Sequence, residues 1–155
     1  MKSPPLSQLA SEAKVEAPGR LSLLDHAAYA VVLATLITVF ALAGWVHPDP
    51  AGLGTHTQLH LPPCGFYEMF HKPCPSCGMT TAFAWMMHGH PLEAVKAQPA
   101  GTAVFLAGAF LLGYLPWMWL RRRPPVEIFD KPAFLGVTLS LIVLILAVWG
   151  VRVLS

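Results

Sequence analysis

Charged residues are scarce in this sequence. Asp, Glu, Lys and Arg make up only 12% of its 155 residues, against about 25% in a typical soluble domain. Ten basic and eight acidic side chains leave a net charge of +2, too small and too dispersed to indicate a protein that binds nucleic acid. With 55% hydrophobic residues, most of the chain is too apolar to be disordered, and its length allows one domain. The composition therefore predicts a small integral membrane protein.

Three long stretches contain no charged residue. They cover residues 27–46, 100–120 and 133–151, and each is close to the roughly 20 residues with which a helix crosses a ~30 Å hydrocarbon core. The sequence therefore predicts an all-α, polytopic membrane protein with three transmembrane helices. Because no stretch holds an ionisable residue, a transporter is disfavoured. Residues 1–25, rich in Ser, Pro, Glu and Lys, are predicted to be a flexible tail, so the single membrane domain covers residues 26–155.

The segment 47–98 separates the first and second spans. A run of about nine to twelve residues from Met79 onwards is too short to span a membrane, and we expect a helix at the interface there. Residues 91–98 start with Pro, carry Glu early and Lys late, and precede Pro99, which is typical of a second short capped helix.

The basic residues predict an orientation. The N-terminal tail and the link between spans two and three must lie on one side, and together they carry seven of the ten Lys and Arg residues. The opposite side carries Lys72, Lys96 and Arg152. The positive-inside rule then places the N-terminus in the cytoplasm and the segment 47–98 outside.

That outward segment concentrates metal-binding side chains. It contains all three cysteines and six of the seven histidines: Cys64, Cys74, Cys77, His47, His56, His60, His71, His88 and His90. In one interpretation, Cys74-Pro-Ser-Cys77-Gly is a metal knuckle, because zinc is held by four ligands that commonly mix Cys and His. Cys64 would be the third ligand and His71, or else His60, the fourth. The absence of a second C-x-x-C weakens this interpretation.

A second interpretation makes Cys74 and Cys77 a redox dithiol. Cys74 would be a helix N-cap with Pro75 at the first helical position, and the positive end of the helix would lower a thiol pKa. In a third interpretation, the same residues form a structural disulfide, which an outward location permits, or are free cysteines that pack like small apolar side chains. The three alternatives stay open at this point. For His88 and His90, a role at the end of the helix is favoured over metal binding, and His56 and His60 are expected in a solvated loop.

Several of these residues form one extended pattern. It comprises Cys64, the block Lys72-Pro-Cys-Pro-Ser-Cys-Gly-Met-Thr-Thr-Ala-Phe83, the turn His88-Gly-His-Pro-Leu-Glu-Ala94 and Gln98-Pro-Ala-Gly101. The pattern resembles the bacterial membrane family catalogued as domain of unknown function 2752, over roughly residues 62–105. Two residues depart from that family, since Thr81 stands where it usually has Arg and Gln98 where it usually has Asn. The family has no established activity, so the resemblance implies the fold and a bacterial inner-membrane location, but no mechanism.

Together these observations predict a multi-pass protein of the bacterial cytoplasmic membrane. Its Cys/His-rich segment would form a structural metal site, with zinc as a candidate ion, or a disulfide, and would support interaction with another membrane protein. The alternative function is a membrane thiol–disulfide oxidoreductase that uses Cys74 and Cys77.

Overall fold

A computed structural model describes residues 21–50, 55–60, 62 and 64–154, except for the side chain of His56. The described residues form six α-helices, two short 3-10 helices and no strand. The α-helices are α1 (Leu23–Trp45), α2 (Gly65–Phe70), α3 (Met79–Met87), α4 (Pro91–Ala97), α5 (Pro99–Leu120) and α6 (Pro132–Leu154). The 3-10 helices are Thr55–Leu59 and Pro125–Ile128. The predicted tail lies largely outside the described residues.

Three of these helices are long and apolar enough to cross a membrane. They are α1, α5 and α6, with 23, 22 and 23 residues, and they coincide with the three predicted spans. The prediction of a small all-α polytopic membrane protein is therefore confirmed. The helices extend one to four residues beyond the uncharged stretches at most ends, because capping residues add turns that need not be apolar. At the start of α1, Ser22 and Asp25 form a reciprocal capping box.

The start of α1 lies beside the end of α5. The Tyr29 hydroxyl donates a 2.8 Å hydrogen bond to the carbonyl of Arg123, and the rings of Tyr29 and Trp119 stack at 5.7 Å. Tyr29 is buried together with Leu115 and Met118. This end of the bundle therefore carries the start of α1 and the Arg121–Arg123 cluster, as a three-span arrangement requires.

The opposite end is built around α3, which packs against both α1 and α5. Phe105 of α5 contacts Phe40 of α1 at 4.7 Å and Phe83 of α3 at 5.3 Å between ring centroids. Close aromatic pairs of this kind add to the free energy gained by burial. The short helix α3 is thus held between two spans, with Thr81, Ala82 and Ala84 buried.

The segment between α1 and α5 contains more helix than the sequence predicted. Both predicted short helices are present as α3 and α4, and α2 precedes them. The expectation of a solvated loop holds for His60, which is exposed in a turn, but is wrong for the backbone of residues 55–59, which forms a 3-10 helix. One turn of this tighter helix needs less chain than an α-helix, and buried Thr55 fixes it by a 2.8 Å hydrogen bond to Thr81.

The third span, α6, contacts the rest of the protein differently. None of its residues is buried within the chain, and its apolar side chains face outward along most of its length. Polar side chains near its C-terminal end make its long-range hydrogen bonds, through Trp149 and Arg152. The third span is therefore fixed to the end of the bundle that contains α3 and the cysteines.

Candidate metal centre

The two cysteines of the C-P-S-C motif lie in a turn before α3. The Cys77 amide donates a 3.1 Å hydrogen bond to the Cys74 carbonyl, which brings both side chains to one side of the turn. Gly78 then adopts a left-handed conformation, with φ of +88°, and is the N-cap of α3. Glycine adopts this conformation without the steric cost that a Cβ atom adds.

This arrangement corrects one sequence prediction. Cys74 is not the N-cap of the helix, because α3 starts at Met79, after a turn over residues 75–78. The left-handed Gly78 separates the C-P-S-C turn from the helix. The two thiols therefore lie outside the first turn of α3.

All three thiols meet in one cluster. The Sγ atoms of Cys74 and Cys77 are 2.9 Å apart, and the Sγ atoms of Cys77 and Cys64 are 3.4 Å apart. The three sulfur atoms lie within 4.8 Å of one another, and all three residues are half-buried. In a tetrahedral site with bonds of about 2.3 Å, sulfur ligands are separated by about 3.8 Å. The cluster is therefore close enough to share one metal ion after small side-chain movements.

The surroundings of the cluster give two of these thiols different pKa values. Burial raises the pKa of Cys74, but hydrogen bonds with Cys77, Ser76 and Cys64 outweigh it and lower that pKa to about 7. Burial and the hydrogen bond to Cys74 raise the pKa of Cys77 to about 12. One thiolate is consequently available near neutral pH, which is the form that binds metals and acts as a nucleophile.

Side chains from α6 and from Gln98, the N-cap of α5, fix the backbone of the cysteine turn. They donate hydrogen bonds to the carbonyl groups of every second residue in the turn. Trp149 Nε1 donates to the Pro73 carbonyl at 3.0 Å, Gln98 Nε2 to that of Pro75 at 3.2 Å, and Arg152 to that of Cys77 at 3.1 Å. Because each bond comes from a separate side chain, the turn is held at three points. Preorganisation of this kind sets the positions of ligands before anything binds.

Arg152 also joins two parts of the site. Its second guanidinium nitrogen donates to the carbonyl of Ala97 at the end of α4. Sequence reasoning missed this role and that of Trp149, and counted Arg152 only as a charge for orientation. The available signal was an arginine in the last turn of an otherwise uncharged span, where a charged side chain needs partners.

We predict that Arg152→Met loosens the cysteine turn. The substitution removes two charge-assisted hydrogen bonds and leaves the carbonyls of Cys77 and Ala97 without these donors, which costs about 1–3 kcal/mol. The unfolding midpoint in detergent should fall by several degrees, and amide hydrogen exchange should accelerate in residues 74–79. Lys72→Met is the matched control, because Lys72 also bonds α6, at the Val153 carbonyl, but is exposed. Equal effects of the two substitutions would contradict the prediction.

Among the described side chains, none of the histidines belongs to the cysteine cluster. His71 is exposed at the C-cap of α2, in a left-handed conformation with φ of 51°. His88 binds the Ala84 carbonyl at 2.8 Å through Nδ1, so its predicted role at the helix end is confirmed. His90 packs its ring edge against Trp85. The geometry thus unites Cys64, Cys74 and Cys77, whereas a role for His71 stays a prediction.

The thiols line an apolar cavity of about 1050 Å³. One wall belongs to the first span and includes Val39, Leu42 and Val46, and the other includes the three cysteines and Met79. The cavity therefore connects the cluster to the face of a membrane-spanning helix.

Comparison with known proteins agrees with the resemblance seen in the sequence. A family model described as protein of unknown function (DUF2752) matches residues 64–112. The match covers all three cysteines, α2, α3, α4 and α5 as far as residue 112, but ends before Trp149 and Arg152. No curated protein and no solved structure matches the chain.

Proposed function

We propose that this protein is a small multi-pass membrane protein whose cysteine cluster holds a metal ion as a structural centre. The observation that carries the proposal is the convergence of three thiols from two separate parts of the chain. Cys64 precedes α2 while Cys74 and Cys77 follow it, so an ion bound to all three would fasten both ends of α2 to the start of α3. Zinc is one ion that takes such ligands.

Metal analysis of the purified protein tests this proposal. Full-length protein isolated in detergent without chelators should contain about one ion per chain and show no reactive thiol until the metal is removed. After chelation under reducing conditions, all three thiols should become titratable. A metal-free preparation with three reactive thiols, which also binds no added zinc or copper, would rule the metal centre out.

The alternative is a thiol–disulfide oxidoreductase, and the 2.9 Å separation of the Cys74 and Cys77 sulfurs favours it. Such a dithiol should have a reduction potential within the range of known carriers, about −120 to −270 mV, whereas a structural disulfide lies below about −300 mV. The metal centre is preferred because Cys64 lies as close to Cys77 as a third ligand would. A measured potential in the carrier range, with no bound metal, would reverse that preference.

The proposal extends to orientation and partners. The cysteine cluster faces outward from a bacterial cytoplasmic membrane, with the N-terminus inside, as the distribution of Lys and Arg supports. The partner is another membrane protein that packs on α6, whose exposed side chains include Leu135, Leu139 and Leu146. The same helix exposes Gly136 and Ser140 four residues apart, and small residues at this spacing let helices approach one another closely in membranes.

Thiol labelling in intact cells checks the orientation. After reduction and chelation, a membrane-impermeant maleimide should label the wild type on intact cells but not a variant with all three cysteines changed to serine. A cysteine introduced at Ser3 of that variant should react only in broken cells. Labelling of the native cysteines only after lysis would reverse the topology.

A further inference from the structure

Sulfur is the dominant donor that the cavity offers to a metal ion. Three cysteines and Met79 line it. None of the described residues that line it is His, Asp or Glu. The remaining polar side chains in its wall carry neutral hydroxyl groups: Thr57, Tyr67, Ser76, Thr80 and Thr81. The cavity wall therefore offers soft sulfur donors and neutral hydroxyl groups, but its described residues offer no imidazole or carboxylate.

Three thiolates leave a zinc ion one ligand short. Structural zinc sites are tetrahedral and take four thiolate, imidazole or carboxylate ligands. Since the described lining of the cavity offers no imidazole or carboxylate, a water molecule or a neutral hydroxyl group would have to fill the remaining position. A water molecule is held well only where it finds two to four polar partners. Monovalent copper differs, because it prefers thiolates and thioethers and is satisfied by a low coordination number.

A positive group near the cysteine turn favours a metal–thiolate cluster that keeps a net negative charge. A monovalent ion on three thiolates leaves two negative charges, one more than a divalent ion leaves. The Arg152 guanidinium binds the Cys77 carbonyl, and the N-terminus of α3 begins two residues after Cys77. The guanidinium thus brings a positive charge to the backbone of Cys77, which favours a negatively charged cluster over a neutral one.

From these observations we infer that the cluster of Cys64, Cys74 and Cys77 is a sulfur-only site selective for Cu(I) over Zn(II). The inference rests on the proposed function, since it names the ion that the same site takes. It also assigns the cavity a role, because its described lining gives a zinc ion no imidazole or carboxylate as a fourth ligand.

Competitive titration tests the selectivity. Full-length protein in detergent, reduced, oxygen-free and stripped of metal, is titrated with Cu(I) or Zn(II) in the presence of a coloured chelator of known affinity. We expect one Cu(I) per chain, with X-ray absorption that shows sulfur neighbours alone. Zinc should be lost to a chelator of micromolar affinity. The affinity for Cu(I) should be at least about a thousandfold higher than the affinity for Zn(II).

A histidine variant distinguishes a three-sulfur site from a zinc site with a fourth protein ligand. His71→Ala should leave both affinities unchanged, whereas Cys64→Ser should weaken copper binding at least about tenfold. Zinc binding that survives a nanomolar chelator, with the intense visible bands of four-coordinate cobalt after Co(II) substitution, would overturn the selectivity but keep the metal centre. Loss of that zinc in His71→Ala would identify the fourth ligand. If neither ion binds, the inference and the proposed function both fail.

Discussion

Cys77→Ser is expected to reduce bound metal from about one equivalent to less than about one tenth. Cys77 is the central thiol of the cluster, with its sulfur 2.9 Å from that of Cys74 and 3.4 Å from that of Cys64. A serine hydroxyl is a hard, neutral donor at physiological pH, so it does not replace a thiolate toward a soft ion. Metal analysis after desalting into buffer that contains a weak chelator measures the loss.

Ser76→Ala is the matched control for this substitution. The Ser76 hydroxyl lies 3.3 Å from the Cys74 sulfur in the same turn, but it is not a member of the cluster. Its removal should lower metal affinity by less than about tenfold and leave the stoichiometry near one. Added metal should also raise the unfolding midpoint of Ser76→Ala but not that of Cys77→Ser, because only a protein that binds the ion is stabilised by it. Equal retention of metal in both variants would show that the ion binds elsewhere.

The three spans were predictable because one physical requirement dominates them. Inside a bilayer, a stretch of about 20 apolar residues can satisfy its backbone hydrogen bonds within itself by forming a helix. The ends were less predictable, because a helix continues into polar residues when a cap is available. Ser22 and Asp25 carry the sequence signature of a capping box, which placed the start of α1 four residues before the uncharged stretch.

The site was predictable only in part. The C-P-S-C spacing brings Cys74 and Cys77 together through local turn geometry, so their proximity follows from the sequence. Their position relative to α3 does not, because it depends on the left-handed Gly78. The hydrogen bonds from Trp149 and Arg152 span 76 and 75 residues, and no local pattern encodes a contact of that range.

The two residues that depart from the family pattern are both buried and hydrogen-bonded. Thr81 is 1% exposed and pairs with the hydroxyl of Thr55, so a neutral short side chain fits a position where a buried charge would need a partner. Gln98 is equally buried, and its amide binds the Pro75 carbonyl in the cysteine turn. Both residues therefore support the end of the bundle that carries the thiols.

Gly101→Val is expected to destabilise the protein by about 1–3 kcal/mol and to weaken the metal centre as well. A Cβ atom on Gly101 would lie 3.1 Å from Gln98 Cγ, 3.2 Å from Ala82 Cβ and 3.2 Å from Met79 Cα. Met79 Cα is backbone at the first position of α3, so relief requires α3 to move away from α5. Such a shift displaces Cys77, two residues earlier, from the other two thiols.

Gly113→Val provides the control in the same span. A Cβ atom on Gly113 meets nothing within 4 Å, so the substitution changes residue size and helix propensity without a packing clash. Its unfolding midpoint and metal affinity should stay close to those of the wild type, while Gly101→Val should lower the midpoint by several degrees and the affinity at least about tenfold. If Gly101→Val lost stability but kept its affinity, the thiol positions would not depend on contact between α3 and α5. If the two variants behaved alike, the close approach at Gly101 would not limit packing.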